Sequence, residues 1–165
     1  RIAGAERSDK TKIMGATAAL ELGRISAAAF SAIRLTDKNL AQKKQAMNTA
    51  IDALDKAAAY GYSQITTAAT FEIGAIYQGF GKALLDSERP RKLSALELEE
   101  YNVMLEEQAF PFEEKAIKTY ESNLKLIAQG VYDEWVAKSA VALATLAPAK
   151  YGKREKGEDF YATLK

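Results

Sequence analysis

Two five-residue stretches constrain the fold more than any other feature of the chain. Glu21-Leu-Gly-Arg-Ile25 and Glu72-Ile-Gly-Ala-Ile76 share Glu, Gly and Ile in register, Leu20 is matched by Phe71, and the glycines lie 51 residues apart. Both stretches sit in segments whose apolar residues recur at three and four, the spacing of an amphipathic helix. Glycine inside a helix costs about 1 kcal/mol relative to alanine, so two at equivalent places point to close approach of a neighbouring helix. A weaker echo links Ala50–Gly61 with Ala116–Gly130, each starting on Ala-Ile and ending on Gly. The chain therefore reads as repeating helix pairs.

The periodic segments run almost end to end. Residues 1–12 are polar and aperiodic, a frayed lead-in. The first helix starts near Ile13, with Leu22, Ile25, Ala29 and Ile33 as its apolar stripe, and ends at Thr36 before the turn residues 36–39. The second, about 40–60, places Met47, Ala50, Ile51, Leu54 and Ala58 on one side. Gln42, Lys43, Lys44, Asp52 and Lys56 fall mostly on the other, and Gly61 terminates it. The third, 63–87, is capped by Ser63 and carries Phe71, Ile73, Ile76, Tyr77, Phe80 and Leu84. Pro90 breaks the pattern, and Ser94 with Glu97 forms a capping-box signature for a fourth helix carrying Leu98, Tyr101, Val103 and Leu105. Pro111 predicts a kink or break there, since an interior proline costs about 3 kcal/mol. A fifth segment ends at Gly130, and a sixth covers 132–146 before Pro148. Alternation of period two is absent, so the class is all-α.

Composition removes most chemistry. The 165 residues contain no His and no Cys, which excludes imidazole-based triads, the usual zinc sites, thiolate nucleophiles and disulfides. Lys+Arg of 23 against Asp+Glu of 22 is far from the basic excess of a nucleic-acid binder. The longest apolar stretch, Ala140–Ala149, is about half the roughly 20 residues of a membrane span, so no integral membrane segment is expected. The start at Arg1 without Met or signal pattern suggests a processed or excised piece of a longer protein.

Gly74–Pro90 imitates a phosphate loop and fails as one. Gly74 and Gly79 have the four-residue spacing but Phe80 follows; Gly81-Lys82 is followed by Ala83, and Ile76 stands where its partner glycine belongs. Ser122-x-x-Lys125 has the spacing of penicillin-recognising enzymes without their companion motifs, and Ile65 replaces the closing glycine of a nucleophile elbow at 61–65.

These residues resemble the tetratricopeptide repeat family. Ile73-Gly74 followed by Tyr77, and Leu22-Gly23 followed by Ser26 in place of Tyr, are similar to its first-helix pattern. Ala116 and Tyr120 are similar to the Ala-x-x-x-Tyr theme of its second helix, and Leu143–Tyr151 to a proline-containing repeat end. The likeness covers about 15–150, with a spacing of 51 against the family's period of about 34, which implies helices longer than usual. The resemblance implies antiparallel helix pairs stacked as a short right-handed solenoid over 13–150, with 151–165 as a charged tail. It implies a non-catalytic adaptor that holds a protein or peptide partner in a groove lined by Thr17, Glu21, Arg24, Ala68, Glu72, Ala75 and Gln78, without cofactor or metal. The closing portion is most similar to large bacterial cell-envelope repeat proteins, which favours periplasm or envelope over cytoplasm. The alternative is a segment that oligomerises or caps a longer solenoid.

Three other features have a plain reading first. The acidic run Glu97, Glu99, Glu100, Glu106, Glu107, Glu113 and Glu114 is a solvated helix face, with docking of a basic partner as the second reading. The basic clusters 89–92 and 153–156 are solvated as well. Phe71, Tyr77, Phe80, Tyr101, Phe110, Phe112, Tyr120, Tyr132 and Trp135 are expected in the core, while Tyr62, Tyr151 and Tyr161 are expected as anchors if they cluster on the surface.

Overall fold

A computed structural model of the chain describes residues 9–36 and 38–152. Over these residues the protein is all-helical: α1 (Asp9–Ala32), α2 (Leu40–Ala58), α3 (Ser63–Leu85), α4 (Ala95–Lys125), α5 (Glu134–Leu146) and the short α6 (Pro148–Tyr151), with a 3₁₀ turn at Leu126–Gln129. Most of the lead-in, residues 1–8, and all of the tail from 153 onward, including Phe160, Tyr161, Leu164 and the 153–156 cluster, lie outside the described residues.

The turns are built as the chain specifies. Gly61 and Gly130 adopt φ of +75° and +80°, the left-handed conformation that glycine takes without penalty beyond a helix end. Ser94 Oγ accepts from Glu97 N while the Glu97 carboxylate takes the Ser94 N–H, a complete capping box that also holds the Glu97 carboxyl below its ordinary pKa. Ser63, expected as a cap, is instead the first residue of α3, and Tyr62 precedes it without a side-chain cap.

Side-chain register gives the helix directions. Lys43 meets Phe30, Leu54 lies over Gly23 and Tyr60 lies over Gly15, so α2 runs antiparallel to α1. Gly81 faces Ala109, Gly74 faces Tyr120 and Thr67 meets Asn123, so α4 runs antiparallel to α3. Arg24 pairs with Glu72 and Phe30 stacks on Phe80, while Thr67 meets Asp133 and Phe71 meets Trp135. Hence α1, α3 and α5 are parallel neighbours. Residues from α1, α2 and α3 make the larger core, and Ala116, Tyr120 and Leu143 centre a smaller one between α4 and α5.

Both repeated glycines sit at helix contacts. A Cβ on Gly23 would stand 2.5 Å from Leu54 Cδ2, and one on Gly74 would stand 2.6 Å from Tyr120 Cε1. Any side chain would push α2 away from α1, or α4 away from α3.

Several expectations are corrected. Helix α1 begins at Asp9, not Ile13, and its buried stripe is Ala16, Leu20, Gly23 and Phe30. Leu22 and Ile25, expected inside, are 62% and 66% exposed. In an alanine-rich helix with apolar residues all round, the smallest residues set the contact, because they allow the closest packing. Lys43, expected on the polar side, is buried: its Nζ donates to Ile33 O at 2.6 Å and to Phe30 O at 3.2 Å, the latter also accepting from Ile33 N, so the lysine closes off the carbonyl end of α1. Pro111 does not end a helix, so the fourth and fifth segments are one 31-residue helix. Pro111 and Glu107, whose carbonyl loses its donor, are both exposed to water, while Leu105, Ala109, Ala116 and Tyr120 clamp the helix on either side. Phe110 and Tyr132, expected in the core, are exposed. The last long helix starts at Glu134, two residues later than expected, because Asp133 caps it.

Helix α1 is also, among the described residues, the one helix long and apolar enough to cross a membrane by length and composition.

Candidate functional site

The parallel helices α1, α3 and α5 bring Arg24, Glu72 and Trp135 together. Arg24 Nη1 donates to Glu21 Oε1 at 2.8 Å, its Nε lies 3.4 Å from Glu72 Oε1, and its guanidinium stands 5.2 Å from the centre of the Trp135 ring. Phe71 backs the indole, with ring centres 5.6 Å apart, and Lys138 Nζ lies 3.8 Å from the ring on the following turn of α5. The result is a half-exposed aromatic surface flanked by cations and carboxylates in partly neutralised pairs. A cation over an indole face is attracted by about 0.5–2 kcal/mol, depending on desolvation.

The seven groove residues divide. Glu21, Arg24 and Glu72 come together as described. Thr17 is exposed one turn before Glu21, its hydroxyl donating back to Ile13 O. Ala75 is half-buried on α3. Gln78 accepts from the Tyr120 hydroxyl at 3.0 Å and so turns toward α4. Ala68 is buried in the core between the helices and presents no surface.

A buried polar network fixes the angle at which α5 presents Trp135. Asp133 Oδ1 accepts from Trp135 N and Val136 N, both at 3.0 Å, capping α5, while its Oδ2 accepts from Thr67 Oγ1 of α3 at 2.6 Å. Asn123, fully buried on α4, donates to Thr67 O at 2.9 Å and to Ser139 Oγ of α5 at 3.0 Å. Three helices are thereby tied, the Asn123 bonds lying away from water, where they are strong and costly to break, and the Asp133 bonds half-buried beside them. Asp133, a capping residue type directly before Glu-Trp-Val, is the local signal that the expected start of this helix at 132 missed; the partnership of Asn123 with Thr67, 56 residues away, leaves no such signal.

On the other side a groove between α2 and α4 is floored by α3 and lined by Asp55, Thr70, Tyr77, Lys118 and Ser122. Burial, and then the neighbouring Asp52, raise the Asp55 carboxyl above its ordinary value. Burial and then Asp55 raise Tyr77. Ser122 of the Ser-x-x-Lys motif donates along its own helix to Lys118 O. Among the described residues no group of three or more acidic side chains is placed to hold a metal ion.

Comparison with known proteins returns no match to a family model, to a curated protein or to a solved structure.

Proposed function

We propose that the chain is a non-catalytic protein–protein interaction scaffold, built as tetratricopeptide-like helix pairs, that holds a polypeptide segment against the face shared by α1, α3 and α5. The observation that carries this reading is the meeting of Arg24, Glu72 and Trp135, which come from three separate helices yet make one half-exposed, polar and aromatic surface. Aromatic and arginine side chains are the residues that most often anchor a protein interface. The contact surface is Thr17, Glu21, Arg24 and Glu72 with Trp135, and Ala75 stands at its edge. By resemblance alone, periplasm or cell envelope is favoured over cytoplasm. Affinity capture with the full-length protein from its source cell, followed by identification of retained chains, tests the reading.

A second reading rests on the adjoining surface of α1, next to Glu21. Leu22 and Ile25, with Met14, expose apolar surface along the outside of α1, as the end of a longer stack or an oligomer interface would. Light scattering over a range of concentrations separates the two: self-docking gives a mass that rises with concentration, and the adaptor alone gives a constant one.

A further inference from the structure

Helix α4 contains a seven-residue repeat that its packing within the fold only half uses. Leu96-Glu-Leu98-Glu99-Glu100, Val103-Met-Leu105-Glu106-Glu107 and Phe110-Pro-Phe112-Glu113-Glu114 each place two apolar residues two positions apart, followed by paired glutamates. Residues two apart on a helix lie on opposite sides, since each step turns about 100°. Two members of the second apolar row face the fold, Leu105 buried and Phe112 packed on Phe80 with ring centres 4.5 Å apart, while Leu98 near the start of the helix is 38% exposed. The first row faces out, with Leu96, Val103 and Phe110 exposed at 66%, 49% and 59%. It spans about 21 Å of helix. The glutamate pairs rim this row on both sides, and among the described residues their carboxylates take no ion-pair or hydrogen-bond partner.

The molecule itself shows what complements the row. One heptad further on, the equivalent positions are Ile117 and Glu121. There α5 and α6 cover the helix: Ile117 is half-buried beside a cluster that includes Ala142 and Leu146, and Glu121 accepts from Lys150 Nζ at 2.8 Å and from the Tyr151 hydroxyl. Apolar residues of α5, and the lysine that α6 carries to the flanking carboxylate, therefore already occupy the end of the same stripe.

From this continuity we infer that Leu96, Val103 and Phe110, with Glu99, Glu100, Glu106 and Glu107, form a docking surface for a basic amphipathic helix of another polypeptide. Its apolar residues repeat every seven and its lysines or arginines flank them, in the manner of one helix laid along another with opposite charges beside the seam. This surface lies on α4 and does not depend on the α1–α3–α5 face.

The test uses two synthetic peptides of about 21 residues, one with Leu on a heptad row flanked by Lys and one with every Lys replaced by Glu, titrated into the whole chain by fluorescence anisotropy. The Lys peptide binds, the Glu peptide binds at least about tenfold more weakly, and affinity for the Lys peptide drops severalfold between about 50 and 300 mM salt. The variant Leu96→Ser/Val103→Ser/Phe110→Ser weakens the Lys peptide at least about tenfold with helicity unchanged. A second variant, Glu99→Lys/Glu106→Lys, which leaves every apolar residue in place, reverses the preference between the peptides. Equal binding of both peptides, full retention of Lys-peptide affinity by either variant, or a doubling of mass by light scattering that the serine variant abolishes, would overturn the proposal. The last outcome assigns the stripe to a second copy of the chain.

Discussion

Gly74 lies so close to Tyr120 that a single added methyl group would stand 2.6 Å from the ring's Cε1 and 2.8 Å from Cδ1. Tyr120 is fully buried and bonded to Gln78, so it has no room to swing away. Gly74→Ala therefore sets an overpacking cost of about 1–3 kcal/mol against a helix-propensity gain of about 1 kcal/mol. The expected outcome in urea denaturation is a net loss of up to about 2 kcal/mol, with Gly23→Ala behaving alike against Leu54. Gly79→Ala, five residues along the same helix, meets only Phe30 Cε1 at 3.7 Å, an ordinary contact, and is expected to stabilise by up to about 1 kcal/mol.

Lys43 ties the start of α2 to the end of α1. Lys43→Met keeps the apolar stem but takes the Lys43 donor from Ile33 O and leaves Phe30 O with the Ile33 N–H alone, at a cost of about 1–3 kcal/mol. Hydrogen exchange checks the location of the effect: protection falls first in the last turn of α1 and the first turn of α2.

Asp133 does two things that one substitution separates from the rest of the core. Asp133→Ala removes the cap of α5 and the bond to Thr67, an expected loss of about 1–3 kcal/mol. Trp135 is the chain's only tryptophan. Its fluorescence should shift to longer wavelength as α5 loosens and the indole leaves Phe71.

Tyr120 gives the fold a pH signature. Burial, reinforced by the charge of Glu72, pushes its hydroxyl from an ordinary value near 10 up to about 12. Below pH 10 folded and unfolded chains both keep the proton. Between 10 and 12 only the unfolded chain releases it, so stability falls with rising pH across that window. Tyr120→Phe should lose about 1 kcal/mol at neutral pH with the Gln78 hydrogen bond, and show a shallower fall above pH 10. Chemical denaturation at a series of pH values checks both.

Local signals were legible in the sequence where a single residue sets the backbone. Gly61, Gly130 and the Ser94–Glu97 box end or begin helices where expected, and the glycine pair marks two real contacts. Facing was legible for the apolar rows of α2 and α3, Lys43 excepted, because apolar and polar residues segregate there. It was not for α1, where Leu22 and Ile25 offered a plausible stripe but the approach of Leu54 to Gly23 decided the matter. Pro111 misled because its cost depends on whether the freed carbonyl reaches water, which is a tertiary fact. The groove residues came from the family resemblance alone; the structure brings Glu21, Arg24 and Glu72 together and buries Ala68, a difference that only packing decides. Trp135 was legible only as an aromatic residue, since no spacing tells that α5 carries it over Arg24.

The adaptor account rests on the charge pattern that Arg24 and Glu72 present beside Trp135, and exchanging the two tests it most directly. Arg24→Glu with Glu72→Arg keeps opposite charges facing each other across α1 and α3 and gives up the exposed Arg24–Glu21 pair, a change of about 0.5–1 kcal/mol, so helicity and melting temperature should stay close to the parent's. The pattern offered to a bound segment is inverted. The account predicts that a partner captured by the parent chain is lost from the exchanged variant in a co-purification; undiminished capture by a folded variant would contradict it.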